Sequence, residues 1–227
     1  MTKTMLPLLS LLALFTVAFA TPIDIQFDEV AIEPAQAAIN YRLTEEVIPT
    51  HYKLELTPYF EAETNKAQFT FDGVVEITLS AVNSSVPSIV LHANKLTIAK
   101  WTLTPVAIPG AAISGVFNPA AHDAVTHKWT IPAPHTKGQE NILRIEYSGI
   151  MDDDMNGFYR SSYTEKNVTK WLGTTQFQQT EARRAFPCMD EPGFKTTFQL
   201  IMNRPKTIKS TISNTKLENA PVQHPTM

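Results

Sequence analysis

Apolar and polar residues alternate along His51-Tyr52-Lys53-Leu54-Glu55-Leu56, between Pro49 and Pro58. Successive side chains on a strand point to opposite faces, so this run predicts a half-buried strand. A second run is longer. Phe69, Phe71, Gly73, Val75, Ile77 and Leu79 share one parity, while Thr70, Asp72, Glu76 and Thr78 occupy the other. The glycine in its middle predicts either a bulge or a close backbone approach. Shorter strands are predicted over 88–92, 95–98, 101–103, 129–131, 141–147, 157–163, 171–177, 195–202 and 208–213. The stretch 106–127, punctuated by Pro, Gly and Asn, reads as a loop-rich insert. No stretch longer than two helical turns carries an apolar stripe at helical spacing. Many short strands separated by turns predict an all-β fold, a large antiparallel β saddle or sandwich.

The first twenty residues have a different texture. MTKTMLPLLSLLALFTVAFA has Lys3 near its start, an apolar run too short to cross a bilayer, and a small-residue ending at Ala18-Phe19-Ala20. That is the pattern of a signal peptide cleaved after Ala20, with an uncleaved membrane anchor as the alternative. The expected organisation is a signal peptide over 1–20, a loose leader over 21–40 and a β domain over 41–227. Two glycosylation sequons, at Asn83 and Asn167, fit the same compartment. The chain holds a single cysteine, Cys188, so no internal disulfide can form and the core must hold the domain. A net charge of −3 without any basic run argues against a nucleic-acid partner.

Candidate chemistry is sparse. Asp152-Asp153-Asp154-Met155-Asn156-Gly157 opens like a calcium loop, but position twelve is Tyr163 where a bidentate Glu is needed. A solvated turn is the better reading. There is no H-E-x-x-H to place two imidazoles on one helix face, and His122 and His127, five apart in a loop, read as surface histidines. Cys188, without a base partner, reads as a buried structural thiol.

The densest stretch is QFQQTEARRAFPCMDEPGF, from Gln176 to Phe194. Asp190 and Glu191 are adjacent and would face opposite ways in an extended chain, which suits an acid–base pair poorly. Arg183 and Arg184 are their natural partners, so the stretch reads as an ion-paired joint. Gln176 and Gln178 would share a face on a strand, where two amide carbonyls can accept from one ammonium group. Spacing alone makes them surface glutamines.

TTQFQQTEARRAFPCMDEPGFKTTF resembles a segment near the end of the N-terminal domain of M1-family zinc aminopeptidases, the aminopeptidase N group. IPTHYKLELTPY, FTFDGVVEITL, IVLHANKLTI and LRIEYSGIMDDDMNGFYRSSY are similar to family segments in the same order, and the details most resemble insect midgut aminopeptidases N. The resemblance runs from Tyr41 to the C-terminus. It implies that Gln178 helps hold the α-amino group of a peptide substrate, that Gln176 lines the pocket for the first side chain, and that Arg183, Arg184, Asp190 and Glu191 are structural. Many relatives carry Glu in place of Gln178, and an amide attracts an ammonium more weakly than a carboxylate does. It also implies a zinc cofactor in the parent enzyme, held by an H-E-x-x-H helix that this chain does not reach. The expectation is therefore a truncated, inactive piece that binds no zinc, with an unpaired sheet edge. The parent would sit on the extracellular face of the plasma membrane, attached through a C-terminus beyond Met227. Insect relatives also serve as receptors for bacterial crystal toxins. A secreted module binding extended peptides at a sheet edge is the rival reading.

Overall fold

The computed structural model describes residues 38–222 apart from Thr64, Asn83 and Lys209. The expected signal peptide with its cleavage point at Ala20, most of the leader and the Asn83 sequon lie outside the described residues.

Among the described residues eleven strands follow one another: β1 Val47–Tyr59, β2 Thr70–Ala81, β3 Ile89–His92, β4 Leu96–Pro105, β5 Ile113–Gly115, β6 His122–Asp123, β7 Lys128–Ile131, β8 Glu140–Ile150, β9 Gly157–Glu165, β10 Val168–Gln176 and β11 Thr197–Met202. The only helical pieces among the described residues are short 3₁₀ turns. Six strands form one sheet in the order β11-β1-β2-β8-β4-β5, three form a second in the order β3-β7-β6, and β9 and β10 make a hairpin. The all-β expectation holds. Pairing is antiparallel throughout, except that β11 runs parallel to β1 from His51↔Thr197 to Leu56↔Met202.

The period-2 pattern explains the core. Tyr52, Leu54 and Leu56 of β1, Phe71, Val75, Ile77 and Leu79 of β2, and Leu143, Ile145 and Tyr147 of β8 all point to one side of the large sheet. There they join Ile89, Leu91, Trp129 and Ile131 of the small sheet in a single apolar cluster. Gly73 is the predicted close approach, not a bulge. It lies opposite Tyr147 in the ladder, and a Cβ placed on it would meet the Tyr147 ring at 2.2 Å. The register shifts fall elsewhere, between Pro49 and His51 and between Ile98 and Lys100.

Two expectations need correction and a third gains a detail. The predicted strands over 95–98 and 101–103 are one strand, β4, whose register shift after Ile98 changes the buried parity and hides its continuity from a period-2 count. The insert 106–127 is loop-rich as expected, and it also contains β5 and β6, too short to show a period. No strand occurs at the described residues of 208–213; there Ile208 closes a turn by donating from its backbone to Pro205.

The β9–β10 hairpin closes on Lys166 and Asn167, both at positive φ (50° and 63°). Two consecutive left-handed residues make the turn whose twist matches the flanking strands, and Asn tolerates that conformation better than most residues. The hairpin tip is exposed, while its base is anchored by Phe158, which packs edge-on against Phe71 at 5.3 Å.

Candidate functional site

The hairpin delivers the chain to the QFQQTEARR stretch. Its last rung pairs Gln176 with Gly157, so strand geometry ends at Gln176. Phe177 comes next, Gln178 lies in a turn, and Ala182–Arg184 form a 3₁₀ turn. Gln176 and Gln178 are both exposed. The two therefore do not sit two apart on one strand: one glutamine ends a strand and the other lies on the loop beyond it.

Beyond the 3₁₀ turn the chain is buried. Ala185, Phe186, Cys188 and Met189 enter the core. Cys188 and His92 exchange backbone hydrogen bonds of 3.0 and 2.8 Å, pinning the segment to the end of β3. The Met189 N–H donates to the Tyr52 hydroxyl at 3.1 Å. Burial pushes the Cys188 thiol well above its usual range, as expected of a structural thiol and not of a nucleophile.

Arg183 does pair with Asp190, as the sequence suggested. Nε donates to Oδ2 at 2.9 Å, Nη2 to the Asp190 carbonyl at 3.3 Å and Nη1 to the Thr126 carbonyl at 3.3 Å. The Arg183 side chain is 7% exposed and that of Asp190 12%. A charge so enclosed is tolerated because ion pair and carbonyls together satisfy the guanidinium.

Arg184 and Glu191 do not pair as expected. Glu191 turns to the chain before β1, bonding Arg42 Nε at 3.2 Å and accepting from the Leu43 N–H. Arg184 reaches across to the acidic turn. Nη2 lies 2.6 Å from Asp154 and 3.3 Å from Asp152, while Nη1 donates to Glu181 at 3.2 Å. Lys95 joins the same two aspartates at 3.3 and 3.5 Å. The turn is exposed at Asp153, Asp154 and Met155, as expected, and is ion-paired as well. The carboxylates that suggested calcium face protein cations, and the Arg184 hydrogen bond holds the Asp154 carboxyl below its ordinary range. Arg184 and Asp154 are far apart in sequence, so helix or strand spacing could not reveal the pair. The hairpin register, which sets Gly157 beside Gln176, brings them together.

His122 and His127, read as surface residues, are half-buried, and two histidines that the sequence did not single out lie deeper. His92 and His135 are fully buried. His92 Nδ1 accepts from the Asp190 N–H at 3.3 Å, and Nε2 faces the Tyr41 carbonyl at 3.4 Å. Burial lowers its pKa to about 4. His135 Nδ1 bonds the Asn141 amide at 2.7 Å. A lone histidine at the end of an apolar strand, as in IVLH, was the available signal for His92.

Among the described residues no group of three or more His, Cys, Asp or Glu side chains is placed to hold a metal ion. The acids around the turn are committed to Arg and Lys, so the residues described do not fit a zinc site.

Residues 48–225 match the Peptidase M1 N-terminal domain family. The chain belongs to that family. Membrane alanyl aminopeptidase of Manduca sexta is 39% identical over 183 residues, 77% of this chain and 18% of that protein. Aminopeptidase N of Canis lupus familiaris is 32% identical over 175 residues, 74% and 18% of the two chains. The human thyrotropin-releasing hormone-degrading ectoenzyme is 33% identical over 195 residues, 84% and 17%. The matched region is thus under a fifth of the length of these relatives. In this M1 N-terminal domain, the exposed glutamines and the ion-paired joint lie within the matched span.

Proposed function

We propose that this domain is the amine-facing, N-terminal part of an aminopeptidase that removes N-terminal residues from peptides. Gln178 would accept hydrogen bonds from the substrate's ammonium group, and Gln176 would line the pocket for the first side chain. One observation carries the reading. The 176–180 loop is exposed, whereas the chain from Ala185 to Met189 is buried, flanked by the Arg183–Asp190 ion pair and pinned by backbone bonds. A polar loop on a rigid base is a suitable platform for orienting a ligand. Relatives named as aminopeptidases support the same assignment. We place the zinc, whose chemistry is to activate water, in another part of the whole protein. We also place a signal peptide at 1–20, cleaved after Ala20, before a leader and a β domain over 41–227. Glycans at Asn83 and Asn167 and an extracellular, membrane-attached location complete the proposal; Asn167, at the exposed hairpin tip, is well placed to accept one.

The test uses the protein expressed from its complete coding sequence. Gln178→Ala should raise KM for an aminoacyl-anilide, and Gln178→Glu should lower it, because a carboxylate attracts ammonium more strongly. Unchanged KM in both variants would overturn the assignment. The 227-residue chain by itself should neither hydrolyse the anilide nor bind stoichiometric zinc. Turnover that a chelator abolishes would contradict this.

A second reading has its own observation. β11 is an outermost strand and exposes Phe198 and Leu200. An extended peptide, or a strand of a bacterial crystal toxin, could add to such an edge. A pull-down of the purified chain with the toxin decides between binding there and none.

A further inference from the structure

The geometry points to Arg184 as the positioning residue that holds the amine-facing glutamine loop in its working shape. The inference rests on the proposed role of Gln176 and Gln178.

The loop between Gln176 and Arg184 has two ends, and one guanidinium fastens both. On the near side, the Glu181 N–H donates to the Phe177 carbonyl at 3.0 Å and the Arg184 N–H to the Glu181 carbonyl at 3.1 Å, so Glu181 closes the turn containing Gln178. Arg184 Nη1 then binds the Glu181 carboxylate. On the far side, Arg184 Nη2 binds Asp154 and Asp152, which precede β9. The arginine therefore bridges the glutamine turn and the root of the hairpin that carries it.

Backbone packing at the same point leaves no slack. Gly157, the partner of Gln176, has φ +67°, and a Cβ there would lie 2.7 Å from Arg184 Cβ and 3.2 Å from the Glu181 carbonyl oxygen. The loop is folded directly against its own hairpin root. Arg183, its neighbour, points elsewhere, to Asp190 and Thr126. The two adjacent arginines thus divide the work: Arg183 ties the joint to the core, and Arg184 sets the loop. A planar fork suits Arg184's task, because it can bind carboxylates on two sides at once, which a lysine ammonium on a flexible stem cannot reproduce.

Without Arg184 the loop would spend only part of its time in the binding conformation. Apparent substrate affinity falls by the populated fraction, so a loop in place a tenth of the time raises KM about tenfold. Arg184 touches no reacting atom, so kcat should change little.

The experiment uses the protein expressed from its complete coding sequence. Arg184→Ala should raise KM for an alanyl-anilide about tenfold with kcat within about twofold. Arg184→Lys should recover part of the loss, and the double substitution Asp152→Asn with Asp154→Asn should reproduce it from the opposite side. Hydrogen exchange without substrate supplies a readout independent of activity. In Arg184→Ala the Glu181 amide should exchange faster, while amides of β2 and β8 keep their rates. Unchanged exchange at Glu181, or a fall in kcat with KM unaltered, would overturn the assignment to Arg184. If Arg184→Ala loosens β2 and β8 as well, the milder aspartate pair decides in its place. A wild-type protein with no aminopeptidase activity would sink the amine-facing reading, whereas the exchange result would still judge the clamp.

Discussion

Two groups of ion pairs in this domain use the same chemistry in opposite surroundings. On the outer face of the large sheet, Lys53 meets Glu76 at 3.2 Å, Lys100 meets Glu146 at 3.2 Å, and Arg144 bridges toward both acids. These side chains are 31–56% exposed. At the joint after β10, Arg183 and Asp190 meet at 2.9 Å with almost no exposure. Exposed pairs exchange water for each other at little net gain. An enclosed pair gives up far more hydration, so each partner comes to depend on the other. The sheet's charges keep its outer face polar, whereas those of the joint select one path for the chain.

The sharpest way to test this contrast is to remove one partner of the enclosed pair. Asp190→Ala leaves the Arg183 guanidinium buried with carbonyl partners alone and should destabilise the domain by about 3–5 kcal/mol, read as a lower midpoint in urea. A loss no larger than that of a surface pair would erase the distinction.

Acid should come next. His92 is buried beside the joint, with Arg183, Lys128 and His127 adding positive potential around it. Its pKa is lowered from 6.5 to about 4, by burial first and by those charges after. The unfolded chain therefore binds a proton that the folded domain refuses. Stability should fall as pH drops from 6.5 toward 4 and level off below, by on the order of 3 kcal/mol in total. Denaturation midpoints across that range, in wild type and in His92→Asn, measure the contribution; an equal slope in both would refute it.

Asp154→Asn probes the intermediate case, a pair with one partner enclosed and the other about a third exposed. Its carboxyl is held low by Arg184, so its contribution is present at neutral pH and disappears as pH falls through the lowered value. The expected cost is about 1 kcal/mol at neutral pH, after discounting for solvent. Lys100→Ala completes the series, with a loss below about 1 kcal/mol that salt at about 1 M should abolish.

The sequence revealed the sheet well because the large sheet buries one face only. Strict alternation in β1, β2 and β8 results from that, and Gly73 could be flagged because a missing side chain breaks an otherwise continuous apolar row. The pattern failed where parity changes, as at the shift inside β4, and where strands are too short to have a period, as in β5 and β6. At the candidate site the outcome was more mixed. Arg183 and Asp190 lie close in sequence and turn back on each other locally, so their pairing was legible. Arg184 with Asp154, and Glu191 with Arg42, are joined only by the arrangement of distant elements. No local rule contains that information, so the sequence showed the acidic turn as solvated but not as ion-paired. Gln178 was misplaced for a related reason: a strand's last rung is set by its partner, here Gly157, and not by its own residues.

The lone thiol gives the molecule a built-in clock. Cys188 is sealed between β3 and the joint and is held far from its reactive form, so an alkylating reagent must wait for that seam to part. Because no other sulfhydryl competes, the pace of modification would count openings of this one seam, and any ligand that grips the neighbouring loop should slow it.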